Sequence, residues 1–290
     1  MTIKHLVLSG GGYKGLQTLG ALKHLENINF FNIDDIETIH CVSAGSVISL
    51  FLCLKINLKD VIHYAIHRPW EKLFTVEMKT ILNLYNKKGL FNIDIFFKLY
   101  EVFFKNNNID KNITLKQLYE ISNIELHIYA VNYSKFELED FSYITQPDLK
   151  VIDAIYMSST LPFIFEPLKY NNSYYIDGGI KCYYPLEHAL KSDISKNEIL
   201  GIRINDTNFK NYIKDDDNVV SYGFDIINKL IKQNINYEKK IKNQIVIFSK
   251  KSNSDECSDI INDPKKREEY ILEGEKFAKL FYEYIIKELY

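Results

Sequence analysis

The stretch Leu6–Gly15, LVLSGGGYKG, lies near the start of the sequence and joins a short apolar run to a run of glycines. The branched apolar residues of Ile3–Ser9 predict a β-strand, and the leucine periodicity of Leu16–Glu26 predicts an α-helix. Between them, glycine N–H groups can converge on an anion at the positive end of the helix. The spacing Gly10-x-Gly12-x-x-Gly15 allows a nucleotide phosphate, and the oxyanion of an acyl-transfer intermediate fits the same loop.

A second strand–turn–helix pattern surrounds Ser43, because ETIHCVS reads as a strand and AGSVISLFLCLK as a helix. The segment Cys41–Gly45 matches the G-x-S-x-G nucleophile elbow, except that Cys41 replaces the first glycine. In isolation, Ser43 fits equally well as a helix N-cap. The apolar stretch Ile39–Ile56 is marginal in length for a membrane span, and a buried strand–turn–helix explains it better.

The third segment is SYYIDGG, in which Asp177 ends an apolar strand and two glycines turn the chain. Alone, this is an ordinary Asp-Gly turn. Together, the serine, the acid and the glycine loop supply a nucleophile, a base and an anion cradle, which are the parts of an acyl hydrolase.

These segments resemble the motifs of the patatin-like phospholipases, a family of lipid acyl hydrolases with a G-G-G-x-x-G loop, a G-x-S-x-G elbow and a D-G-G motif. Here they read GGGYKG, CVSAG and DGG. The segment Asp153–Leu168 is similar to the family's A-x-x-S-x-x-x-P-x-x-F pattern, with Ser158 or Ser159 at the serine position. The resemblance covers about residues 3–205, and Cys41 and Glu166 depart from it.

The resemblance implies a role for each motif. Ser43 is expected to be the nucleophile and Asp177 the general base, without a histidine. The backbone N–H groups expected to form the oxyanion hole are those of Gly10, Gly11 and Gly12. Lys14 is either a contact for a substrate phosphate or a solvated lysine. The resemblance implies no cofactor and no metal ion.

The alternation of strands and helices predicts an α/β fold. The resemblance makes it a three-layer α/β/α architecture with a mainly parallel central sheet. We expect a single domain over residues 1–290, with a motif-bearing core at about 3–205 and an extension over 206–290 that completes the same domain. The predicted late elements are a helix over Val219–Tyr237, a strand at NQIVIFSK and a long helix over Pro264–Tyr290.

The expected partner is a phospholipid or another long-chain acyl ester, with peripheral contact to a membrane surface. The net charge of −2 gives no argument for nucleic acid, and the basic run Lys265–Arg267 reads as a solvated face. The stripe Phe96–Phe104 is expected to face the core, with lipid contact as the alternative. A second lipid-facing candidate is the helix at Phe224, Ile227 and Ile231, with the polar segment Thr207–Asn218 as its hinge.

The first residues show no signal-peptide pattern, and the four cysteines show no metal-ligand spacing. A cytoplasmic location, either free or peripheral to membranes, is therefore expected.

Three alternatives to the Ser-Asp lipid hydrolase remain open. Ser43, Asp177 and His188 follow the chain order of a Ser-Asp-His triad. The chain can also be a catalytically idle lipid-binding or scaffold protein. Finally, the Gly10–Gly15 loop can serve a nucleotide-binding enzyme, with Asp34 or Asp35 as the ribose-binding acid.

Overall fold

The computed structural model describes residues 2–191, 194–206, 219–233, 241–249 and 254–289. The strands of these parts are β1 (His5–Leu8), β2 (Thr38–Val42), β3 (Gly89–Phe91), β4 (Glu125–Asn132), β5 (Glu137–Phe141), β6 (Phe163–Phe165), β7 (Lys169–Tyr170), β8 (Ser173–Asp177), β9 (Ile199–Asp206) and β10 (Gln244–Ser249). The helices are α1 (Gly15–Asn27), α2 (Ala44–Cys53), α3 (Leu58–His67), α4 (Met78–Lys87), α5 (Asp94–Asn106), α6 (Leu115–Ser122), α7 (Val151–Ser159), α8 (Leu186–Ala189), α9 (Val219–Gln233), α10 (Ser254–Asn262) and α11 (Pro264–Leu289).

The main sheet has the strand order β10-β9-β1-β2-β4-β8-β7, and β5 also pairs with β4. The pairs from β10 to β4 along this order are all parallel, whereas β5 and β8 run antiparallel to β4. Strands β3 and β6 form a separate parallel pair. The sheet is therefore mainly parallel, as expected from the alternating strands and helices.

Strand β1 shows why the sheet is covered on both faces. Its residues are all buried, and they alternate between two hydrophobic clusters. Leu6 and Leu8 lie in the cluster that contains Leu22 of α1. Val7 lies in a second cluster with Leu186 of α8. Helices on both faces of the sheet give the predicted three-layer α/β/α fold, which is confirmed.

The late elements extend the same sheet. Strand β10 pairs with β9 in parallel, and α11 packs along α1. A side chain at Gly20 or Gly274 would clash with the partner helix backbone, at 2.0 Å from the Ile271 oxygen and 1.9 Å from the Gln17 oxygen. This close packing favours the interpretation of a single domain.

Several expectations about surfaces are decided by burial. The stripe of α5 faces the core, since Phe96, Tyr100, Phe103 and Phe104 are all buried, so lipid contact there is wrong. The strand–turn–helix interpretation of residues 39–56 is confirmed by β2 and α2. No helix in the described ranges is long and apolar enough to cross a membrane.

The expected lipid-facing residues of α9 are also core residues. Ile227 and Ile231 are buried in a cluster with Ile176 and Ile180, so the prediction that they meet lipid is wrong. The Phe224 side chain and the hinge segment Thr207–Asn218 lie outside the described residues.

Arg267 likewise departs from the expected solvated face. Its guanidinium is buried and donates to the carbonyl oxygens of Ile66, Ile260, Ile261 and Arg68. These carbonyls lie at or near the C-terminal ends of α3 and α10, where backbone acceptors lack partners within their own helix. A buried charge with four acceptors explains why this residue of the basic run turns inward.

Candidate active site

The strand register brings the three motifs to one level of the sheet. Leu8 of β1 is paired with Cys41, Val42 of β2 with Tyr129, and Ala130 of β4 with Asp177. Continuing each parallel register by one or two residues sets Gly10 beside Ser43, and Ser43 beside Ala130. A Cβ built at Gly10 would lie 3.5 Å from the Ser43 Cβ, which confirms the first of these approaches.

Ser43 has the backbone conformation of a nucleophile elbow. Its φ of 50° and ψ of −120° lie outside the regions that a non-glycine residue normally adopts. Helix α2 begins at the next residue, and the Ser46 N–H and hydroxyl both donate to the Ser43 carbonyl, at 2.8 and 2.6 Å. The sharp turn between β2 and α2 therefore aims the Ser43 side chain away from both elements.

The two small positions of the elbow are not equivalent. A Cβ at Gly45 would lie 2.7 Å from the Leu8 oxygen and 2.8 Å from the Ser9 oxygen, so only glycine fits there without a shift of the backbone. Cys41 is fully buried in the core, and its thiol donates to the His127 carbonyl at 3.3 Å. The departure from the family pattern at Cys41 is thus accommodated inside the fold.

The Ser158 side chain hydrogen-bonds to the backbone of the elbow. The Ser43 N–H donates to the Ser158 hydroxyl at 2.9 Å, and that hydroxyl donates to the Tyr129 carbonyl at 2.6 Å. Both bonds are buried, and they link α7 to the elbow and to β4. The sequence pattern singled out Ser158 or Ser159 without assigning a role, and the structure assigns the contact to Ser158.

Asp177 is buried, with 2% of its surface exposed, and faces Ser43. Its carboxylate accepts a hydrogen bond from the Gly179 N–H at 2.7 Å, and the Ser43 side chain lies near enough to act on its pKa. Burial raises the pKa of this carboxyl from 3.8 to about 6, although the Ser43 side chain and the Gly179 N–H both act to lower it. The carboxylate is therefore a stronger base than a solvated aspartate, and it is still ionised at neutral pH.

The glycine loop offers two backbone donors rather than three in this conformation. The Gly10 N–H donates to the Tyr183 carbonyl at 2.9 Å, so it is already occupied. For the N–H groups of Gly11 and Gly12, the described residues provide no acceptor. A Cβ at Gly12, where φ is +56°, would meet no described atom within 4 Å, so the loop is open on that side.

Lys14 lies within this loop, but its side chain points inward. Only 2% of its surface is exposed, so the expectation of a solvated lysine is wrong. The contact to a substrate phosphate stays a prediction, and it requires the phosphate to reach the interior of the loop.

His188 is near the site but outside the contact between Ser43 and Asp177. Its ring packs on Tyr129, with ring centroids 4.8 Å apart. Within the described residues, the Asp177 carboxylate accepts from the Gly179 N–H, and His188 is not among the groups that shift its pKa. The geometry therefore favours a dyad over the Ser-Asp-His order.

The nucleotide alternative places its acid at the wrong end of the sheet. Asp34 and Asp35 precede β2, whereas the glycine loop follows β1, which runs parallel to β2. Asp34 is exposed and forms an ion pair with Lys55 at 2.5 Å. In the described parts of the chain, no group of three or more His, Cys, Asp or Glu side chains is arranged to hold a metal ion.

A buried serine at a strained turn, beside a buried carboxylate on an α/β sheet, is an arrangement typical of serine hydrolases. Residues 6–190 match the family model described as "Patatin-like phospholipase". The chain belongs to the patatin-like phospholipase family.

The proteins similar to this chain include two curated relatives and one solved structure. The first relative is "Probable lipid hydrolase 463L" of Invertebrate iridescent virus 6, 32% identical over 67% of this chain and 66% of its own length. The second is "Uncharacterized protein R571" of Acanthamoeba polyphaga mimivirus, 29% identical over 63% of this chain and 60% of its own. VipD from Legionella pneumophila has a TM-score of 0.55 at 16% identity, over 97% of this chain and 67% of that protein.

The match thus covers less than two thirds of each curated relative's length, 66% of the first and 60% of the second. At 16% identity, the likeness to VipD shows the fold alone.

Proposed function

We propose that this protein is a lipid acyl hydrolase, a phospholipase A-type esterase that cleaves acyl esters with Ser43 and Asp177. The observation that carries the proposal is the placement of Ser43, at a strained strand–helix turn, beside the buried Asp177 carboxylate, whose pKa is raised to about 6. Membership of the patatin-like phospholipase family and the printed name of the 32% identical relative support a lipid substrate.

In the first half of the reaction, the Ser43 oxygen attacks the ester carbonyl as its proton passes to Asp177. The tetrahedral oxyanion accepts hydrogen bonds from the N–H groups of Gly11 and Gly12, each worth about 3 kcal/mol in comparable sites. Gly10 can become a third donor if the loop releases the Tyr183 carbonyl. The intermediate then collapses, and the leaving alcohol takes the proton back from Asp177.

In the second half, water attacks the acyl ester on Ser43 and gives a proton to Asp177. Collapse of this second tetrahedral intermediate returns that proton to the Ser43 oxygen and releases the fatty acid. The Ser43 N–H is held by Ser158 throughout, so it positions the elbow and is not an oxyanion donor. No step in this scheme calls for a metal ion or an organic cofactor.

The substrate is a phospholipid or another long-chain acyl ester, met at a membrane surface on the cytoplasmic side. Because lipid esters reside in the bilayer, peripheral membrane contact is part of the proposal. Nucleic acid is not a proposed partner, since the net charge is −2.

The test is labelling with a fluorophosphonate probe, which reacts covalently with activated serines. Wild-type protein is expected to be labelled, Ser43→Ala to lose all labelling, and Asp177→Asn to label at least about a hundredfold more slowly, since the base is removed. His188→Ala is the matched control, with labelling expected to stay within about twofold because His188 does not contact the dyad. Absence of labelling in folded wild-type protein would refute the proposal and favour the idle lipid-binding alternative.

A further inference from the structure

Helix α4 presents an apolar stripe to solvent. Met78, Ile81, Leu82 and Tyr85 recur at the spacing of one helix face, and all four are exposed, Tyr85 by 89%. The helix carries its own end contacts, with a capping box between Glu77 and Thr80. An ordered helix with an uncovered apolar face is typical of an interaction surface.

Helix α9 is apolar on two sides. Ile227 and Ile231 point inward and pack on Ile176 and Ile180. On the outside, three exposed residues recur every four positions: Tyr222, Ile226 and Leu230. The inner face explains why the helix is attached to the body of the protein, but it does not account for the outer one.

Phe163 in β6 connects the two helices: it packs against α9 and pairs with β3, the strand that follows α4. Phe163 is exposed and is the register partner of Gly89, which follows the end of α4. Its ring would be 2.8 Å from a Cβ built at Gly223 of α9. On the same helix, the Ile231 Cδ1 would be 3.9 Å from a Cβ built at Gly179, which lies in the turn that follows Asp177.

The charge around α4 differs from that of the whole protein. Between Glu71 and Lys88 there are four lysines and two glutamates, a net charge of +2, whereas the whole chain has −2. Lys72 and Lys88 are exposed, and Lys87 is half-exposed and lies 3.6 Å from Glu166. Basic residues bordering an apolar face are attracted to anionic lipid headgroups.

We propose that the exposed stripes of α4 and α9, with Phe163 between them, form a docking face that binds the surface of an anionic lipid bilayer. The inference rests on the proposed function, because a lipid ester must leave the bilayer to reach Ser43. The lipid-contacting residues expected from the sequence, on α5 and on the inner face of α9, are buried. The exposed stripes proposed here take their place, and α9 also packs on the turn after Asp177.

The experiment compares flotation with vesicles of phosphatidylcholine and phosphatidylserine for the full chain and for Leu82→Gln/Tyr85→Gln. Both side chains are exposed, so the substitutions should leave the melting temperature unchanged. The wild type is expected to bind, and the variant to lose about tenfold or more in vesicle partitioning, because two apolar side chains no longer enter the interface. Binding of the wild type is expected to weaken in vesicles of phosphatidylcholine alone.

The control is Leu272→Gln/Leu280→Gln on α11, where both leucines are about as exposed as Leu82, at 54% and 52%. This control is expected to bind vesicles like the wild type. The docking face would be overturned if the α4 variant bound vesicles as well as the α11 control, whether both bind like the wild type or both lose binding. It would also be overturned if the wild type did not bind vesicles. A wild-type dimer that Leu82→Gln/Tyr85→Gln converts to monomer would overturn it too, since a second copy would then cover the face.

Hydrolysis of a soluble short-chain ester separates this proposal from the catalytic one. The α4 variant is expected to retain it within about twofold while losing hydrolysis of vesicle phospholipid in parallel with binding. If wild-type protein binds vesicles but hydrolyses neither substrate, the proposed function fails and the docking face stands.

Discussion

Ser43 and Asp177 each lie at the end of a strand of the same sheet, and both are buried, but the fold holds them under different kinds of stress. At Ser43 the stress is in the backbone, which adopts a positive φ that a residue with a Cβ normally avoids. At Asp177 the backbone is ordinary, with φ of −49° and ψ of 128°, and the stress is electrostatic, since burial disfavours the ionised form.

The comparison shows two separate ways in which a fold can prepare reactive groups. The elbow is enforced by the junction of β2 and α2, where Gly45 allows the helix to approach the Leu8 and Ser9 carbonyls. The raised pKa of Asp177 comes from its apolar surroundings, because Ile176 precedes it and α9 covers the following turn. A substitution can remove either the backbone strain or the electrostatic cost, and each change should alter the free energy of unfolding in its own way.

The largest stability effect is expected from Asp177→Asn. The pKa rises from 3.8 to about 6 on folding, a shift of about two units, which corresponds to about 3 kcal/mol. Because the folded pKa exceeds the unfolded one, the ionised carboxylate destabilises the protein above pH 6, and this penalty disappears as pH falls toward 4. The variant should therefore be more stable than wild type by up to about 3 kcal/mol at pH 8.

Urea unfolding at several pH values measures this difference. The gain of Asp177→Asn should shrink steadily between pH 6 and pH 4, because wild-type Asp177 becomes protonated in both states. Asp153→Asn is the control for a partly buried carboxyl outside the site, whose pKa is also raised by burial. An Asp177→Asn variant that is less stable than wild type at pH 8 would contradict the electrostatic account.

The pH profile of ester hydrolysis is the second way to sharpen the comparison. In the proposed mechanism Asp177 must be ionised to accept the Ser43 proton, so kcat/KM should be level above pH 7 and fall about tenfold per unit well below pH 6. His188 is the other group near the site to separate from Asp177, since its pKa is lowered from 6.5 by burial. His188→Ala should leave the midpoint unchanged, and a midpoint that vanishes with it would identify the histidine as the base.

The sequence alone indicates where much of this candidate site lies. The strand–turn–helix at Ser43 and the strand end at Asp177 are local features, and their residues carry the pattern within a few positions. The parallel sheet then requires that the ends of β1 and β2 lie together. The meeting of Ser43 with Asp177 across β4 follows from the family resemblance, because no local pattern specifies that β8 pairs with β4.

What the sequence could not predict depends on contacts between distant segments. The Gly10 N–H is taken by Tyr183, 173 residues later, as the hydrogen bond between them shows. Lys14 and Arg267 look like surface residues by type, but tertiary packing turns both inward. The stripes of α4 and α5 have the same helical spacing, and periodicity shows that a face exists without showing what covers it.

The smallest expected effect concerns the backbone of Ser43. Ser43→Ala keeps the strained conformation with a Cβ present, whereas Ser43→Gly removes the Cβ that makes the positive φ unfavourable. Both variants lose the hydroxyl and should be inactive. The glycine variant should nevertheless be more stable than the alanine variant by about 1 kcal/mol, measured by urea unfolding at pH 7.

Ser49 provides the matched control, since it is buried six residues later within α2 and has no positive φ. There the order should reverse, with Ser49→Gly less stable than Ser49→Ala by about 1 kcal/mol, because glycine is unfavourable inside a helix. Opposite signs at positions 43 and 49 would isolate the strain of the elbow from the general effect of glycine. The same sign at both positions would mean that the Ser43 backbone stores no measurable strain.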